Sequence, residues 1–132
     1  MQGKRRAKIR KALITGAAGF AGSHLADFLL QQTKVEVFAI DRPQAKLDNI
    51  RHLADKIKFF HCDICDFKQV RQMLSEVRPD YVFHLAAQAY VPDSWISPIV
   101  SLNTNAVGTL NILEAVRTLK LPARVQIACS AD

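Results

Sequence analysis

The segment Lys11-Ala12-Leu13-Ile14-Thr15-Gly16-Ala17-Ala18-Gly19-Phe20-Ala21-Gly22 decides the fold of this 132-residue chain. Its first five residues form a short apolar run that stops at a glycine cluster, which is typical of a buried parallel strand. From there on, apolar residues recur at helical spacing, at Phe20, Leu25, Phe28 and Leu29. A strand, a glycine turn and a helix in this order form the opening of a βαβ unit.

The rest of the chain continues this alternation of strand and helix. The pattern of β-branched and aromatic residues predicts four further strands, at Val35 to Ile40, Lys58 to Cys62, Tyr81 to Leu85 and Val125 to Cys129. Helical pieces are predicted around Ala45 to Ala54, from Phe67 to Val77 and, after a loop containing Pro92 and Pro98, from Ile99 to Leu119. The sequence therefore predicts an α/β fold, a Rossmann-type parallel sheet with helices on both faces. We expect this fold to be truncated after the fifth strand and to be the front part of a longer protein.

The formal net charge of +6 comes from the amino-terminal end of the chain. Six of the 18 Lys and Arg residues lie in the first eleven positions, which hold no acidic residue, and beyond them 12 basic and 12 acidic residues cancel. Residues 1–10 are expected to form a basic, flexible tail rather than a contact to nucleic acid or membrane. Three cysteines without a disulfide pattern, and no apolar stretch of membrane-spanning length, favour a cytoplasmic location.

The glycine turn has the composition of a diphosphate site. Glycines let the backbone turn sharply and approach a pyrophosphate, whose charge then lies over the free N–H groups at the start of the next helix. We expect Gly16 to make the turn, Gly19 to allow the close approach and Gly22 to let the helix pack tightly on the sheet. The backbone amides of residues 16 to 22 are all expected to be free for the phosphates. The predicted contacts are Gly16, Ala18, Gly19, Phe20, Ala21 and Gly22.

Two acidic positions lie where the adenosine end of a dinucleotide needs them. Asp41 follows Gly19 by 22 residues at the end of the second strand, where its carboxylate can accept hydrogen bonds from ribose hydroxyls and repel a 2′-phosphate. NAD is therefore favoured as the cofactor, and NADP stays possible because the adjacent Arg42 can turn toward a phosphate. Asp63 and Ile64, just past the third strand, are placed to meet an adenine edge and face.

The second acidic position also lies inside a CxxC motif, Cys62-Asp63-Ile64-Cys65. A zinc site needs four ligands, and the sequence has no second CxxC and no HxxxH pair. Ordinary buried cysteines are therefore favoured over a metal or redox centre, and no metal is predicted.

These residues resemble the extended short-chain dehydrogenase/reductase family, the NAD-dependent sugar-nucleotide epimerases and dehydratases. The resemblance covers about residues 11 to 132, interpreted as the NAD(P)-binding domain. Its motifs are the glycine turn, Asp41, the Asp63-Ile64 pair, His84-Leu85-Ala86-Ala87 and Asn105-Ala106-Val107-Gly108-Thr109. The loop from Ala87 to Trp95 is most similar to the GDP-mannose 4,6-dehydratase branch. Members of that branch tend to use NADP, and Asp41 departs from them.

The resemblance implies roles for further residues. By this resemblance, the cofactor's diphosphate and nicotinamide ribose lie along Leu85, Ala86, Ala87 and Gln88. His84 is expected to be a residue of the strand rather than a catalytic residue. Ser130 matches the Ser or Thr that bonds the reacting oxygen, and Asp132 matches an acidic position of the dehydratases. The family's YxxxK motif is missing from the chain, so we expect no turnover from it alone.

The resemblance also implies a substrate and a partner. Family members oxidise a hydroxyl of a nucleotide sugar by hydride transfer and then eliminate water or invert a centre. In relatives the long helix joins a dimer interface, although its apolar stripe can equally be intramolecular core, so a homodimer is a hypothesis. That stripe is Leu102, Val107, Leu110, Leu113, Val116 and Leu119. The alternative function is a stand-alone dinucleotide-binding or regulatory module without catalysis.

Overall fold

Residues 8–32 and 34–129 are described from a computed structural model. Five parallel strands form one sheet in the order β3-β2-β1-β4-β5. The strands are β1 (Arg10–Thr15), β2 (Val35–Asp41), β3 (Lys58–His61), β4 (Tyr81–His84) and β5 (Arg124–Ile127). From β1 to β3 each new strand is added on one side of β1, whereas β4 and β5 are added on the other side, so the strand order reverses between β1 and β4. The predicted Rossmann-type parallel sheet is confirmed, and this reversal is the switch point at which such sheets bind ligands.

Helices cover both faces of the sheet, as predicted. They are α1 (Phe20–Leu30), α2 (Phe67–Val77), α3 (Val91–Ile96), α4 (Pro98–Leu102) and α5 (Gly108–Thr118). A 3₁₀ helix (Asp48–Leu53) follows β2, and a π-helical turn (Asn103–Val107) joins α4 to α5 into one long helix. Neighbouring residues of the central strand β1 place their side chains on opposite faces of the sheet. Leu13 packs with α2 and α5, and Ile14 packs with α1 and the 3₁₀ helix.

The prediction of a plain loop around Pro92 and Pro98 is wrong. Each proline lies in the first turn of a short helix, α3 or α4. Proline is tolerated there because the first N–H groups of a helix have no internal acceptor. The prolines therefore start helices in this segment rather than interrupt them.

The predicted apolar positions of α1 divide between core and surface. Leu25 and Leu29 pack against the core, whereas Phe20 is 77% exposed and Phe28 is 57% exposed. The buried residues of the helix are Gly22, Ser23 and Ala26. Small residues face inward because the helix lies close against the glycine turn that precedes it.

The long helix divides its predicted stripe between core and surface. Val116 and Leu119 pack against the core formed with α2. The other four members are exposed, at Leu102, Val107, Leu110 and Leu113. The buried positions of α5 are Gly108, Asn111, Ile112 and Ala115.

The amino end of β1 is held by Asp80, just before β4. The Lys11 N–H donates to Asp80 Oδ2 at 2.9 Å, and this bond is the main reason that the pKa of Asp80 lies below its usual value. Lys8 and Arg10 each lie 3.6 Å from Asp80 Oδ1. Of the predicted basic tail, residues 1–7 lie outside the described residues, and Arg10 already belongs to β1. No helix within the described ranges is long and apolar enough to cross a membrane.

Candidate functional site

A cavity of about 330 Å³ opens at the carboxyl edge of the sheet, beside the switch point. Its volume falls in the range of small-molecule sites. Its walls are the glycine turn and the segments that follow β2, β3 and β4. The lining residues are Gly16, Ala18, Gly19, Ile40, Asp41, Arg42, Ala45, Lys46, Cys62, Asp63, Ile64, Cys65, Leu85, Ala86, Ala87, Gln88 and Thr104.

Most of the residues predicted to contact a cofactor meet in this cavity. The exceptions are Phe20, Ala21 and Gly22, which form the first turn of α1 directly after Gly19. Lining residues that sequence reasoning did not single out include Ala45, Lys46 and Thr104. The candidate catalytic residues Ser130 and Asp132 lie outside the described residues.

Two glycines are required by the geometry of the turn. Gly16 has a φ of +70°, and a Cβ at this position would lie 2.8 Å from the backbone nitrogen of Ala86. A Cβ on Gly22 would lie 2.3 Å from the carbonyl oxygen of Gly16. The close packing expected at Gly22 is therefore a contact of α1 with the backbone of the turn that follows β1.

The expectation that all amides of residues 16 to 22 are free is wrong. The N–H groups of Ala17, Ala18 and Gly19 donate within the fold, to Ile40 O (3.3 Å), Asp41 Oδ2 (3.0 Å) and Gly16 O (3.1 Å). The next three N–H groups belong to the first turn of α1, where an α-helix has no internal acceptors. Among the described residues no side chain caps this helix at Gly19. The N–H groups of residues 20 to 22 are therefore the amides of this turn that are available to an anion, and the helix dipole favours negative charge there.

Asp41 connects the end of β2 to the glycine turn. One carboxylate oxygen accepts from the Ala18 N–H at 3.0 Å, and the other accepts from the Arg42 N–H at 2.8 Å. The residue lines the cavity and is partly exposed, so its carboxylate can accept further hydrogen bonds from a ligand in the cavity. A carboxylate in this position favours hydroxyl donors over a phosphate.

The segment after β3 is held in place by the long helix. Asn111, which is buried, donates from Nδ2 to the carbonyl oxygen of Ile64 at 2.8 Å. The Ile64 side chain packs so closely on Gly108 that a Cβ there would lie 2.6 Å from Cδ1 of Ile64. Asp63 Oδ1 accepts from the Cys65 N–H at 2.9 Å, which closes a tight turn. Asp63 and Ile64 therefore line the cavity on a rigid support.

The cysteines of the CxxC motif have the properties of unreactive thiols. Burial raises the pKa of the Cys62 thiol to about 11, and burial likewise raises the pKa of Cys65. A thiol with a raised pKa is protonated at neutral pH and is a weak nucleophile and metal ligand. Within residues 8–32 and 34–129, all three cysteines are free, and no group of three or more His, Cys, Asp or Glu side chains is arranged to hold a metal ion.

His84, the last residue of β4, joins the central strand to the long helix. The residue is 3% exposed, and its Nδ1 lies 2.7 Å from Thr15 Oγ1 while its Nε2 lies 2.9 Å from Thr109 Oγ1. Because Thr109 donates its proton to the Asn105 carbonyl (2.8 Å), it must accept from Nε2–H. Burial lowers the pKa of His84. The imidazole is therefore neutral, with its proton on Nε2, and acts as a structural bridge as predicted for a strand residue.

The same bridge positions the backbone that follows β4. The Thr15 hydroxyl accepts from the N–H groups of Leu85 and Ala86, both at 3.1 Å. At the other end, Asn105 accepts the Gln88 N–H at 2.7 Å and donates to the Gln88 carbonyl at 3.1 Å. Residues 85 to 88 are thus fixed from both ends along one wall of the cavity.

Comparisons with known proteins agree with this architecture. A profile of the family described as GDP-mannose 4,6 dehydratase matches residues 13–132. The GDP-mannose 4,6-dehydratase of Vibrio cholerae is 39% identical over 121 residues, covering 85% of this chain and 32% of that protein. The dTDP-glucose 4,6-dehydratase of Neisseria meningitidis serogroup B is 37% identical over 113 residues, covering 83% of this chain and 32% of that protein.

A solved structure shows the same likeness. The UDP-glucose 4-epimerase of Thermus thermophilus, in complex with NAD, superimposes with a TM-score of 0.74 at 37% identity, covering 84% of this chain and 35% of that chain. The chain spans about a third of the length of the curated relatives it matches.

Proposed function

This chain belongs to the GDP-mannose 4,6-dehydratase family, and we propose that residues 11–132 are the NAD(P)-binding part of a nucleotide-sugar dehydratase or epimerase. The observation that carries this proposal is the cavity at the switch point. It combines an uncapped helix start for a diphosphate with a carboxylate for a ribose, Asp41. Both features lie where a dinucleotide crosses a sheet of this strand order.

The chain's own residues bind and orient the cofactor. The N–H groups of Phe20, Ala21 and Gly22 hold the diphosphate, and Asp41 accepts from the adenosine ribose hydroxyls. Asp63 and Ile64 meet the adenine. When bound, NAD supplies the hydride acceptor for oxidation of a sugar hydroxyl. NAD is favoured by the carboxylate, and NADP remains possible because two cations, Arg42 and Lys46, line the same end of the cavity.

The nicotinamide half is proposed to lie along residues 85 to 88. In a doubly wound sheet the second mononucleotide crosses the switch point, which places it on the β4 side. Two alanines in this wall, Ala86 and Ala87, leave room for a ribose, and the bonds to Thr15 and Asn105 hold the backbone still.

The chemical step is proposed from the family resemblance. Ser130 would bond the reacting oxygen and Asp132 would abstract a proton next to the new ketone, in a lyase reaction on a nucleotide sugar such as GDP-mannose. The chain contains no YxxxK, since Tyr90 is followed by Val91-Pro92-Asp93-Ser94 and Tyr81 by Val82-Phe83-His84-Leu85. We therefore expect the 132 residues by themselves to give no turnover, and conversion of any nucleotide sugar by them would overturn this expectation.

Calorimetry with NAD and NADP tests the binding proposal. NAD should give a saturable heat with a lower Kd than NADP. Ala87→Trp should abolish the heat of binding, because the indole of this exposed lining residue would occupy the space of the cofactor. Ala54→Trp is the control, since it adds the same side chain at an exposed position outside the cavity. A folded wild-type protein that gives no heat with either cofactor at millimolar concentration would exclude the proposed function.

A homodimer and a cytoplasmic location are the remaining proposals. The exposed row Leu102, Leu110 and Leu113 supports a packing partner for the long helix, and we propose a second copy of the chain. Light scattering that shows a strict monomer of the complete natural protein would remove this hypothesis. The proposed location is supported by three cysteines that are all free among the described residues.

A further inference from the structure

Ala18, in the middle of the glycine turn, is held at both of its backbone polar groups by side chains from the end of β2 and from the 3₁₀ helix that follows it. Its N–H donates to Asp41 Oδ2 at 3.0 Å, and its carbonyl oxygen accepts from Asn49 Nδ2 at 3.0 Å. The residue itself is 6% exposed. A single peptide position is therefore clamped between two side chains that are eight residues apart in sequence.

The position of Asn49 is fixed by packing. It lies in the 3₁₀ helix, between Asp48 and the buried residue Ile50. Ile50 and Leu53 belong to the same apolar cluster as Ala18. The 3₁₀ helix is thus seated against the turn, and the Asn49 amide reaches the Ala18 carbonyl from a fixed base.

The clamp acts on the part of the turn that aims the diphosphate amides. Gly16, Gly19 and Gly22 leave the turn backbone with more freedom than other residues would. The N–H groups offered to a diphosphate begin two residues after Ala18. Fixing Ala18 therefore fixes the direction of these amides before a ligand arrives, which lowers the ordering cost of binding.

The clamp also links two parts of the chain that line the cavity, the glycine turn and the segment that begins at the end of β2. Asp41, Arg42 and Lys46 of that segment line the cavity, and the 3₁₀ helix with Asn49 follows them in the chain. We propose that Asn49 is a positioning residue for the cofactor, an inference that rests on the proposed function. Asn49 ties the segment that binds the adenosine ribose to the turn that binds the diphosphate. Asp41 then has a second task, since it holds the Ala18 N–H as well as the ribose.

The experiment compares ligands with and without phosphate in the complete natural protein. Asn49→Ala removes the donor, and Asn49→Asp keeps the shape but presents a carboxylate to the Ala18 carbonyl. Both variants should lose affinity for NAD and ADP, by about fivefold for the alanine variant, the equivalent of one neutral hydrogen bond, and more for the aspartate variant. Affinity for adenosine, which has no phosphate, should stay within about twofold of the wild type.

Controls separate positioning from a general loss of structure. Gln44→Ala, an exposed change in the same segment outside the cavity lining, should leave all three affinities unchanged. If Asn49 only supports the local fold, its variants will lower the unfolding temperature and weaken adenosine as much as ADP, which would overturn the inference. Amide exchange at Ala18 and Gly19, whose N–H groups are hydrogen-bonded within the fold, should be faster in Asn49→Ala without ligand, and unchanged exchange would also overturn the inference.

The outcome for the wild type keeps the two proposals apart. Failure of the wild type to bind NAD, ADP or adenosine rejects the proposed function, and the inference with it. Normal binding by the wild type together with unchanged ADP affinity in both Asn49 variants rejects the inference alone.

Discussion

The two walls of the cavity are built on different principles. The β2 side, made of residues 40–42, 45–46 and 62–65, presents exposed or partly exposed charged groups such as Asp41, Arg42 and Lys46. The β4 side, made of residues 85–88 and Thr104, presents two alanines and a backbone that the buried His84 behind it helps to hold. The charged groups of the β2 side are suited to ligand selectivity, whereas the fixed backbone of the β4 side is suited to keeping the shape of the cavity.

Both walls depend on the turn between them, so the largest effect is expected there. Gly22→Ala would place a methyl group 2.3 Å from the Gly16 carbonyl oxygen. The free energy of unfolding should fall by about 1–3 kcal/mol from overpacking, and NAD affinity should fall at least about tenfold because the turn must shift. Gly19→Ala is the matched control, since its Cβ would lie 3.3 Å from the same oxygen. Equal stability of the two variants, measured by urea denaturation, would contradict the close packing at Gly22.

Removal of the bridge should damage the β4 side next. His84→Leu removes one hydrogen bond from each of the Thr15 and Thr109 hydroxyls, which keep their backbone partners, so the free energy of unfolding should fall by about 1 kcal/mol for each lost bond. His84→Asn and His84→Gln, whose amides imitate Nδ1 and Nε2 respectively, should each recover part of that loss. Urea denaturation measures the series. A leucine variant as stable as the wild type would show that the bridge contributes nothing.

A change on the β2 side should alter ligand choice more than stability. Asp41→Ala removes an acceptor for ribose hydroxyls and should weaken NAD about tenfold, as expected for a hydrogen bond to a charged group, with a smaller effect on NADP. Asp41→Asn keeps an acceptor for the Ala18 N–H and should retain more of the NAD affinity. Calorimetry with both cofactors gives the ratio of the two Kd values. An unchanged ratio would mean that Asp41 does not set the preference.

The two walls should also differ in pH dependence. The folded-state pKa of His84 lies below its ordinary value of 6.5, so the unfolded chain takes up the proton first as the pH falls. Stability should hold above about pH 6.5 and decline below it toward the folded-state pKa, by at most about 1.4 kcal/mol per pH unit. His84→Asn should remove this part of the pH profile. A wild type and variant with parallel profiles between pH 5 and pH 7 would disprove it.

The smallest effect is expected from the cysteines. Cys65→Ser changes one atom at a partly exposed position and should alter the free energy of unfolding by less than about 0.5 kcal/mol. Affinity for NAD and the zinc content of purified protein should not change either. Stoichiometric zinc in the wild type that is lost in Cys65→Ser would restore the metal interpretation of the CxxC motif.

The two sides of the cavity could be predicted from sequence on different grounds, the β2 side from its strand ends and residues 85 to 88 of the β4 side from the family resemblance. Asp41, Asp63 and Ile64 follow strands directly, and the carboxyl ends of parallel strands meet at one edge of the sheet. Asn49 could not be predicted, because it lies in an irregular segment eight residues beyond Asp41 and its partner is a backbone carbonyl. The His84 bridge was equally hidden, since Thr15 and Thr109 carry no spacing that relates them to His84.

What the sequence determined by itself is the order of the elements and the edge at which they meet. Short apolar runs that end at Gly16 or Asp41 have the length of buried strands, and strands of that kind, separated by helices, pack into a parallel sheet. Tertiary structure decided which groups are free to act. Three amides of the turn donate to acceptors within the fold, Phe20 and Phe28 of α1 face outward, and the Ala18 carbonyl accepts a hydrogen bond from Asn49. Each of these depends on distances between segments far apart in the chain, which local periodicity does not encode.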